Sequence, residues 1–490
     1  MTHQPNMLLF VSDQQQWQSV CGRSPAHSPN INRFATEGMR FERSYATVAL
    51  CCPSRACLLS GQFPYHNGIF NQVHVPERTR SDLFPGTQTY PQRLREAGYQ
   101  LGYVGKWHAS WDRNPLDFGF QELRAPTGCS QASLARVPLG PEDDFRAYCR
   151  DLGVDNRSAN IATECLQSWP GSSPFLFYGI DNNPEAATRP HFETSHGIGM
   201  IERYGRQAQP WFVTINVVEP HDPYVPLAQY AAHYDPADVA LPPSWQDDFA
   251  NKPYMNRRDA EMWAGLSEHQ VRTAIARYWA HCEQVDAQVG RLMAALERSG
   301  QADNTLVLFT SDHGDMLGAH RQFIKGWQPY EETYRVPLVA RWPGVIAAGS
   351  ACEHLVQLHD LAHTFADVAG ATPITPADGR SLLPLFQEPE RRDWSDDILC
   401  MYYGGEFLYT QRMLITPRYK YVFNAFDIDE VYDLERDPNE LHNIVADPAA
   451  SSVVADLRDR LYALMERHGD PYISDRYGAP RYLARSAPTC

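Results

Sequence analysis

No window of the sequence holds the eighteen or so consecutive apolar residues that a membrane span needs, so no membrane anchor is expected. Positive charge is also short. Forty-three Lys and Arg against fifty-nine Asp and Glu leave a net charge of −16, which repels nucleic acid, anionic membrane surfaces and long sulfated or phosphorylated polymers. An anionic ligand therefore requires a local basic pocket. The N-terminus has neither a basic n-region nor a small-residue cleavage site, because Met1 to Pro5 lead directly into the apolar run from Met7 to Val11. Cysteine is sparse, odd in number at eleven and irregularly spread, which argues against a disulfide framework and fits a reducing cytoplasm, the expected location.

Apolar and aromatic residues are plentiful, at 43% and 12% of 490 residues, with 21% charged. That is the composition of a well-packed globular chain, long enough for one large α/β domain with an appendage, or for two domains.

Asn6 to Val11 reads as a buried strand whose carboxyl end carries Ser12-Asp13, the place where open α/β sheets put their chemistry. Ser28-Pro29 opens a short helix that Gly38 stops, and a second helix runs from Thr89 to Ala97. Further strand-like runs occur at Gln100 to Val104, Trp211 to Val218 and Leu306 to Thr310, so the pattern alternates α and β. Apolar positions from Val271 to Leu296 follow helical spacing over one long amphipathic helix, with Tyr278, Trp279 and Met293 as core. Residues 123 to 206 show weak periodicity and read as insertions and long loops. A Pro-rich connection at Ala371 to Gly379 marks a boundary, giving units at 1–375 and 376–490. In the second unit, Tyr419 to Phe423 and Val431 to Leu434 read as antiparallel strands and Val453 to Leu464 as a final helix. The tail from Asp470 to Cys490, rich in Pro, Tyr and Arg, is a candidate cover for a second copy in a homo-oligomer.

Cys51, Cys52 and Cys57 form a cluster, but C-C-x4-C has neither the C-x2-C spacing of a zinc site nor a matching second half. Pro53 marks the start of a helix, which places Cys51 at its mouth, where free N–H groups favour an anion. The segment Cys51-Cys52-Pro53-Ser54-Arg55-Ala56-Cys57-Leu58-Leu59-Ser60-Gly61 resembles the C-x-P-S-R-A-x-L-L-S-G signature of the type I sulfatases. In that family the first cysteine is oxidised to formylglycine by a formylglycine-generating enzyme. The hydrated aldehyde is the nucleophile, and the arginine, here Arg55, holds it.

Four further segments resemble the family in its own order, so the likeness runs from residue 5 to about residue 445. Pro5 to Gln14 and Thr310-Ser311-Asp312-His313-Gly314-Asp315 are similar to its two metal-binding strands. The resemblance implies one divalent ion on Asp13, Gln14, Asp312, His313 and the side chain of residue 51. Gln14 and His313 depart from the commoner Asp and Asn, and this softer donor set makes manganese a competitor of calcium. Gly105-Lys106-Trp107-His108 matches G-K-W-H, and alternation along an extended segment would turn Lys106 and His108 to one side, towards an anion and a transferable proton. Glu219-Pro220-His221-Asp222-Pro223-Tyr224 resembles the segment whose histidine faces the leaving group, which makes His221 the general acid. In Gly318-Ala319-His320-Arg321-Gln322-Phe323-Ile324-Lys325, Lys325 closes the anion pocket and His320 supports the loop. Asn71 is a further candidate for an amide at the nucleophile or substrate. Val431 to Asn443 resembles the family's structural closing segment.

The resemblance implies a large mixed, mostly parallel sheet sandwiched by helices, with a smaller C-terminal antiparallel sheet and helix. It also implies hydrolysis of a small sulfate monoester, with Lys106, His221, Lys325 and Asn71 on the substrate. A phosphonate monoester or phosphodiester hydrolase of the same superfamily is the nearest alternative, and a silent sulfatase-like binding protein the next. Trp111, Tyr224, Tyr254 and Trp263 are candidates to stack on a substrate ring, although each also reads as core.

Overall fold

The computed structural model describes residues 4–168, 172–405 and 408–474. Its main sheet is built from β1 (Asn6–Asp13), β2 (Met39–Tyr45), β3 (Gln100–Lys106) and β4 (Glu122–Thr127). The chain then makes the hairpin β5 (Ile161–Gln167) and β6 (Phe175–Asp181) before returning as β7 (Trp211–Pro220), β8 (Thr305–Ser311), β9 (Arg335–Arg341) and β10 (Ser350–Gln357). The spatial order is β10-β2-β9-β8-β1-β7-β3-β4. β9 runs antiparallel to β2 and β8, and the other pairings are parallel, so the sheet is mixed and mostly parallel.

The apolar run of β1 is continuous because both faces of the strand are covered. Met7, Leu9 and Val11 face a core with Ala56 and Leu59 of α2 (Cys51–Ser60), Leu94 of α3 (Tyr90–Glu96) and Leu361 and Phe365 of α6 (Asp360–Val368). Leu8 and Phe10 face the opposite core, with Ile31 and Phe34 of α1 (Pro29–Thr36), Met200 and Ile201 of α4 (Arg189–Tyr204) and Val285, Val289 and Leu292 of α5 (Glu268–Arg298). Each such side chain contributes about 1.5–3 kcal/mol by leaving water.

The long helix α5 extends the sequence-based span by a few residues at each end. Region 123–206 is a correction: it contains β4, the hairpin β5–β6 and α4. The apolar stripe of α4 is diluted by His191, His196, Gly197 and Gly199. Gly197 is needed because a Cβ there would lie 2.2 Å from the Ile215 side chain of β7.

The C-terminal unit is an antiparallel sheet in the order β11 (Ile398–Tyr402), β12 (Gln411–Ile415), β13 (Tyr419–Asn424), β14 (Glu430–Asp433), covered by α7 (Ser451–Arg467). β11 and β12 are additions to the two strands read from sequence. The core of this unit takes in Val48 and Leu50, the residues leading into Cys51, so the smaller sheet helps to fix where α2 begins. Asp470 pairs with the buried Arg412, Pro471–Ser474 form a short helical turn, and residues 475–490 of the tail lie outside the described residues.

Candidate functional site

Four adjacent strands at the sheet centre, β8-β1-β7-β3, bring their carboxyl ends together. Asp312 follows β8, Asp13 ends β1, His221 follows β7 and Lys106 ends β3. α2 starts against them. Cys51 is its first residue and Pro53 its third, so the proline sits in the first turn, where its missing N–H is not required. Arg55 lies one turn beyond Cys51 and therefore on the same face.

The guanidinium of Arg55 ties the strand ends together. Nη2 lies 3.0 Å from Oδ2 of Asp13, Nε lies 2.8 Å from Oδ2 of Asp312, and Nη1 donates to the Lys106 carbonyl and to Oδ1 of Asn216. Ser54 Oγ donates to the Asp312 carbonyl at 2.6 Å. Lys106 Nζ lies 2.6 Å from Oδ2 of Asp13. Burial and the Cys51 sulfur push the Asp13 carboxyl up, but the Lys106, His221 and Arg55 cations prevail and hold it below the usual range. Asp312 is raised, by burial first and then by Asp13.

Cys51, 1% exposed, has its Sγ 3.2 Å from Nε2 of His313 and 3.8 Å from Oδ1 of Asp13. Burial raises the thiol pKa, yet Lys106, Lys325, His313 and His108 together bring it well below the ordinary value. Asp13, Cys51, Asp312 and His313 each present one donor atom, all within 4.8 Å of one another and all buried. His313 Nδ1 lies 2.9 Å from the Gly314 carbonyl, so Nδ1–H donates there and Nε2 faces the Cys51 sulfur and the carboxylates; burial lowers the pKa of the ring, but Asp312 and the sulfur raise it more, to about 9, so an ion binding here would displace the Nε2 proton. Two crowded carboxylates, an imidazole and an acidified thiol suit a divalent cation, and the residues present fit one.

Gln14 sits at a left-handed φ of 66° in the turn after β1. Its backbone N–H donates to Asp312, while its side-chain amide donates to Asp222 and Asp315 and accepts from Lys325. The amide oxygen is thus directed at an ammonium. The Tyr278 hydroxyl donates to the Gln14 carbonyl at 2.6 Å and steadies this turn from α5.

His108 reaches the site by a different route from the expected alternation. β3 ends at Lys106, Gly105 has φ 87° where a Cβ would collide with the Asn216 carbonyl, and His108 itself is left-handed at φ 54°. Its ring bonds the Cys51 side chain, and burial lowers its pKa to about 4. His221 Nε2 lies 4.0 Å from Oδ1 of Asp13. Burial and Lys325 lower the pKa of His221, but Asp222, the Cys51 sulfur and Asp13 raise it more.

Five candidates lie elsewhere. Asn71, buried, donates to the Glu77 and Gly405 carbonyls and accepts from Thr79, so its amide organises a loop. His320 is buried against Tyr330 and 2.5 Å from Asp247, in the loop-supporting role read for it. Tyr224 and Trp263 are core, and Tyr254 is exposed beside the C-terminal unit. Trp111 lies against the His74 ring near His108.

Sequence reasoning assigned no role to Asn216, Asp222 or Asp315. The last two lie inside the quoted motifs, so their position was the available signal; Asn216 carried none.

A family model described as Sulfatase matches residues 5–371, and one described as N-sulphoglucosamine sulphohydrolase, C-terminal, matches residues 318–467. The chain is 30% identical over 465 residues to the choline-sulfatase of Rhizobium meliloti (strain 1021), covering 91% of this chain and 83% of that one. It is similar in fold to the phosphonate monoester hydrolase from Silicibacter pomeroyi, with a TM-score of 0.78, 22% identity, and coverage of 95% and 96%. It is also similar in fold to a protein solved in complex with its substrate D-glucosamine-2-N,6-O-disulfate, with a TM-score of 0.74, 22% identity, and coverage of 96% and 100%.

Proposed function

The chain belongs to the sulfatase family of enzymes, which hydrolyse sulfate esters, and from that premise we propose that it cleaves a small sulfate monoester with a formylglycine diol derived from Cys51. One observation carries the reading. The Cys51 side chain lies at the mouth of a buried helix, ringed by Arg55, Lys106, His108, His221, His313 and Lys325. An ester sulfate repels an attacking anion, and a preorganised set of positive donors removes that repulsion.

A divalent ion on Asp13, Asp312, His313 and the residue 51 side chain, calcium or manganese, supplies further positive charge and eases deprotonation of a neighbouring hydroxyl when bound. Lys106 and Lys325 hold the sulfate oxygens. One diol hydroxyl of residue 51 loses its proton to solvent under the field of these cations, and its oxygen attacks sulfur as the ester S–O bond breaks. His221, with Lys325 beside it, delivers a proton to the departing alcohol oxygen. The second diol hydroxyl then gives its proton to His108, whose low pKa keeps the ring neutral and able to accept. The carbonyl re-forms as its electrons expel sulfate, and water rehydrates the aldehyde. A serine or an unmodified cysteine has no second hydroxyl and would stay sulfated.

Burial of Cys51 implies that a formylglycine-generating enzyme acts before α2 docks. The sparse and irregular spacing of the cysteines is the ground on which we propose a reducing cytoplasm as the location. The net charge of −16 favours a small ester over a sulfated polymer.

The test is mass analysis of the peptide holding residue 51, paired with turnover of matched aryl sulfate and phosphonate esters. Formylglycine, a sulfate rate above the phosphonate rate, and loss of turnover in Cys51→Ala are expected. Full activity in Cys51→Ala overturns the nucleophile. A dominant phosphonate rate replaces this reading with that of a phosphonate monoester hydrolase.

A further inference from the structure

We propose that Cys52, His74 and His108 form a second metal site, selective for zinc, whose occupation draws His108 away from residue 51 and inhibits the enzyme. The three residues come from separate segments: the first turn of α2, the loop that follows it, and the turn beyond β3. Each offers one ligand atom, and these atoms lie within 4.8 Å of one another.

The chemistry of this set differs from that of the buried carboxylate site beside it. One sulfur and two imidazoles select zinc and similar soft ions over calcium and manganese, which prefer oxygen. Tetrahedral zinc at its usual bond lengths holds neighbouring ligand atoms roughly 3.5 Å apart. Any closure the cluster needs is therefore at most about 1.3 Å between a pair of ligand atoms, and the His74 ring stands at the surface. It already lies over His108, with centroids 5.0 Å apart and planes at 24°.

A second observation points to a ligand. His108 Nδ1 is buried and has no hydrogen-bond partner among the described residues, although a buried polar nitrogen ordinarily finds one. Burial keeps the Cys52 thiol protonated, so zinc binding forms a Zn–S bond and releases that proton to solvent. Three protein ligands leave a fourth position for water. Cysteine spacing alone hid the site, because both partner ligands are histidines remote in sequence.

The inhibitory half of the proposal rests on the proton-accepting role given to His108 above; the binding half does not. The experiment uses the enzyme loaded with its own divalent ion and dialysed against zinc chloride, with bound metals and turnover measured on the same samples. Wild type is expected to bind one zinc per chain while retaining its original ion, and to lose turnover by at least about tenfold. His74→Ala and Cys52→Ser are expected to lose that zinc and its inhibition while keeping basal turnover, and mass analysis confirms that residue 51 is still modified in Cys52→Ser. The site is overturned if wild type takes up no additional zinc, if the variants retain it, or if inhibition follows displacement of the original ion. Zinc bound at the three residues without loss of turnover overturns the inhibitory half and, with it, the role of His108, while leaving Cys51 as nucleophile intact.

Discussion

Nζ of Lys325 lies 2.5 Å from Nε2 of His221, whose Nδ1 lies 2.7 Å from the Asp222 carbonyl oxygen. Nδ1–H donates to that carbonyl, so Nε2 faces the ammonium and the two groups share a proton beside residue 51. His221→Ala is expected to lower kcat by about 10²–10⁴-fold on an alkyl sulfate, whose alcohol is a poor leaving group. The loss on 4-nitrophenyl sulfate is expected to be far smaller, because its phenolate departs without protonation. Equal losses on both substrates would refute the acid role. Lys325→Ala is expected to raise KM as well, since the ammonium also holds the anion.

Arg55 neutralises two buried carboxylates at once, Asp13 and Asp312. Arg55→Ala removes the guanidinium from Asp312 and leaves Asp13 to Lys106, and a loss of about 3–5 kcal/mol in the metal-free protein is expected. Urea titration with and without a chelator checks this. Added calcium or manganese is expected to restore part of the loss in the variant, because an ion that binds only the folded state stabilises it by mass action. A variant as stable as wild type without metal would show that Arg55 is not what holds these strand ends together.

His281 on α5 is buried, and burial lowers its pKa from 6.5 to about 3. Below pH 6.5 the unfolded chain takes up a proton that the folded chain refuses, so this group withdraws stability progressively from pH 6.5 down to about pH 3. His281→Gln is expected to flatten the fall in denaturation midpoint over that window. An unchanged slope would assign acid sensitivity to other groups.

Asn71→Ala is expected to keep its turnover, since the amide is bonded to loop carbonyls and not to the site. Removing those buried bonds should lower stability by about 1–3 kcal/mol, read from thermal or denaturant unfolding. A large fall in kcat with stability intact would return Asn71 to the substrate.

Alternation of apolar runs with strand-end polar residues revealed β1, β3, β7 and β8, because strands buried on both faces must be continuously apolar. The same rule missed α4, whose face is interrupted by Gly197 where Ile215 comes too close for a side chain. It missed β11 and β12 too, although they pair with each other across a short loop: each is five residues long, and β12 opens on Gln411 and Arg412, whose burial rests on Asn424 and Asp470 and not on apolar character. Cys51, Arg55, Asp13, Asp312, His313, Lys106, His108, His221 and Lys325 all lay in quoted motifs, and the structure brings all nine together. Asn71 lay close to the nucleophile in sequence and was drawn elsewhere by its loop.

By itself the order of residues determined which side chains carry charge, protons and a modifiable thiol, since those are properties of residue type and of the short turns that end each strand. Only the tertiary structure decided which of them meet. The order β8-β1-β7-β3 sets strand ends from opposite halves of the chain side by side, Gln14 turns to Lys325, and Cys52 comes within reach of two distant histidines. Such meetings depend on sheet order and packing, which arise from burying the whole chain's apolar surface at once and are written in no local stretch of it.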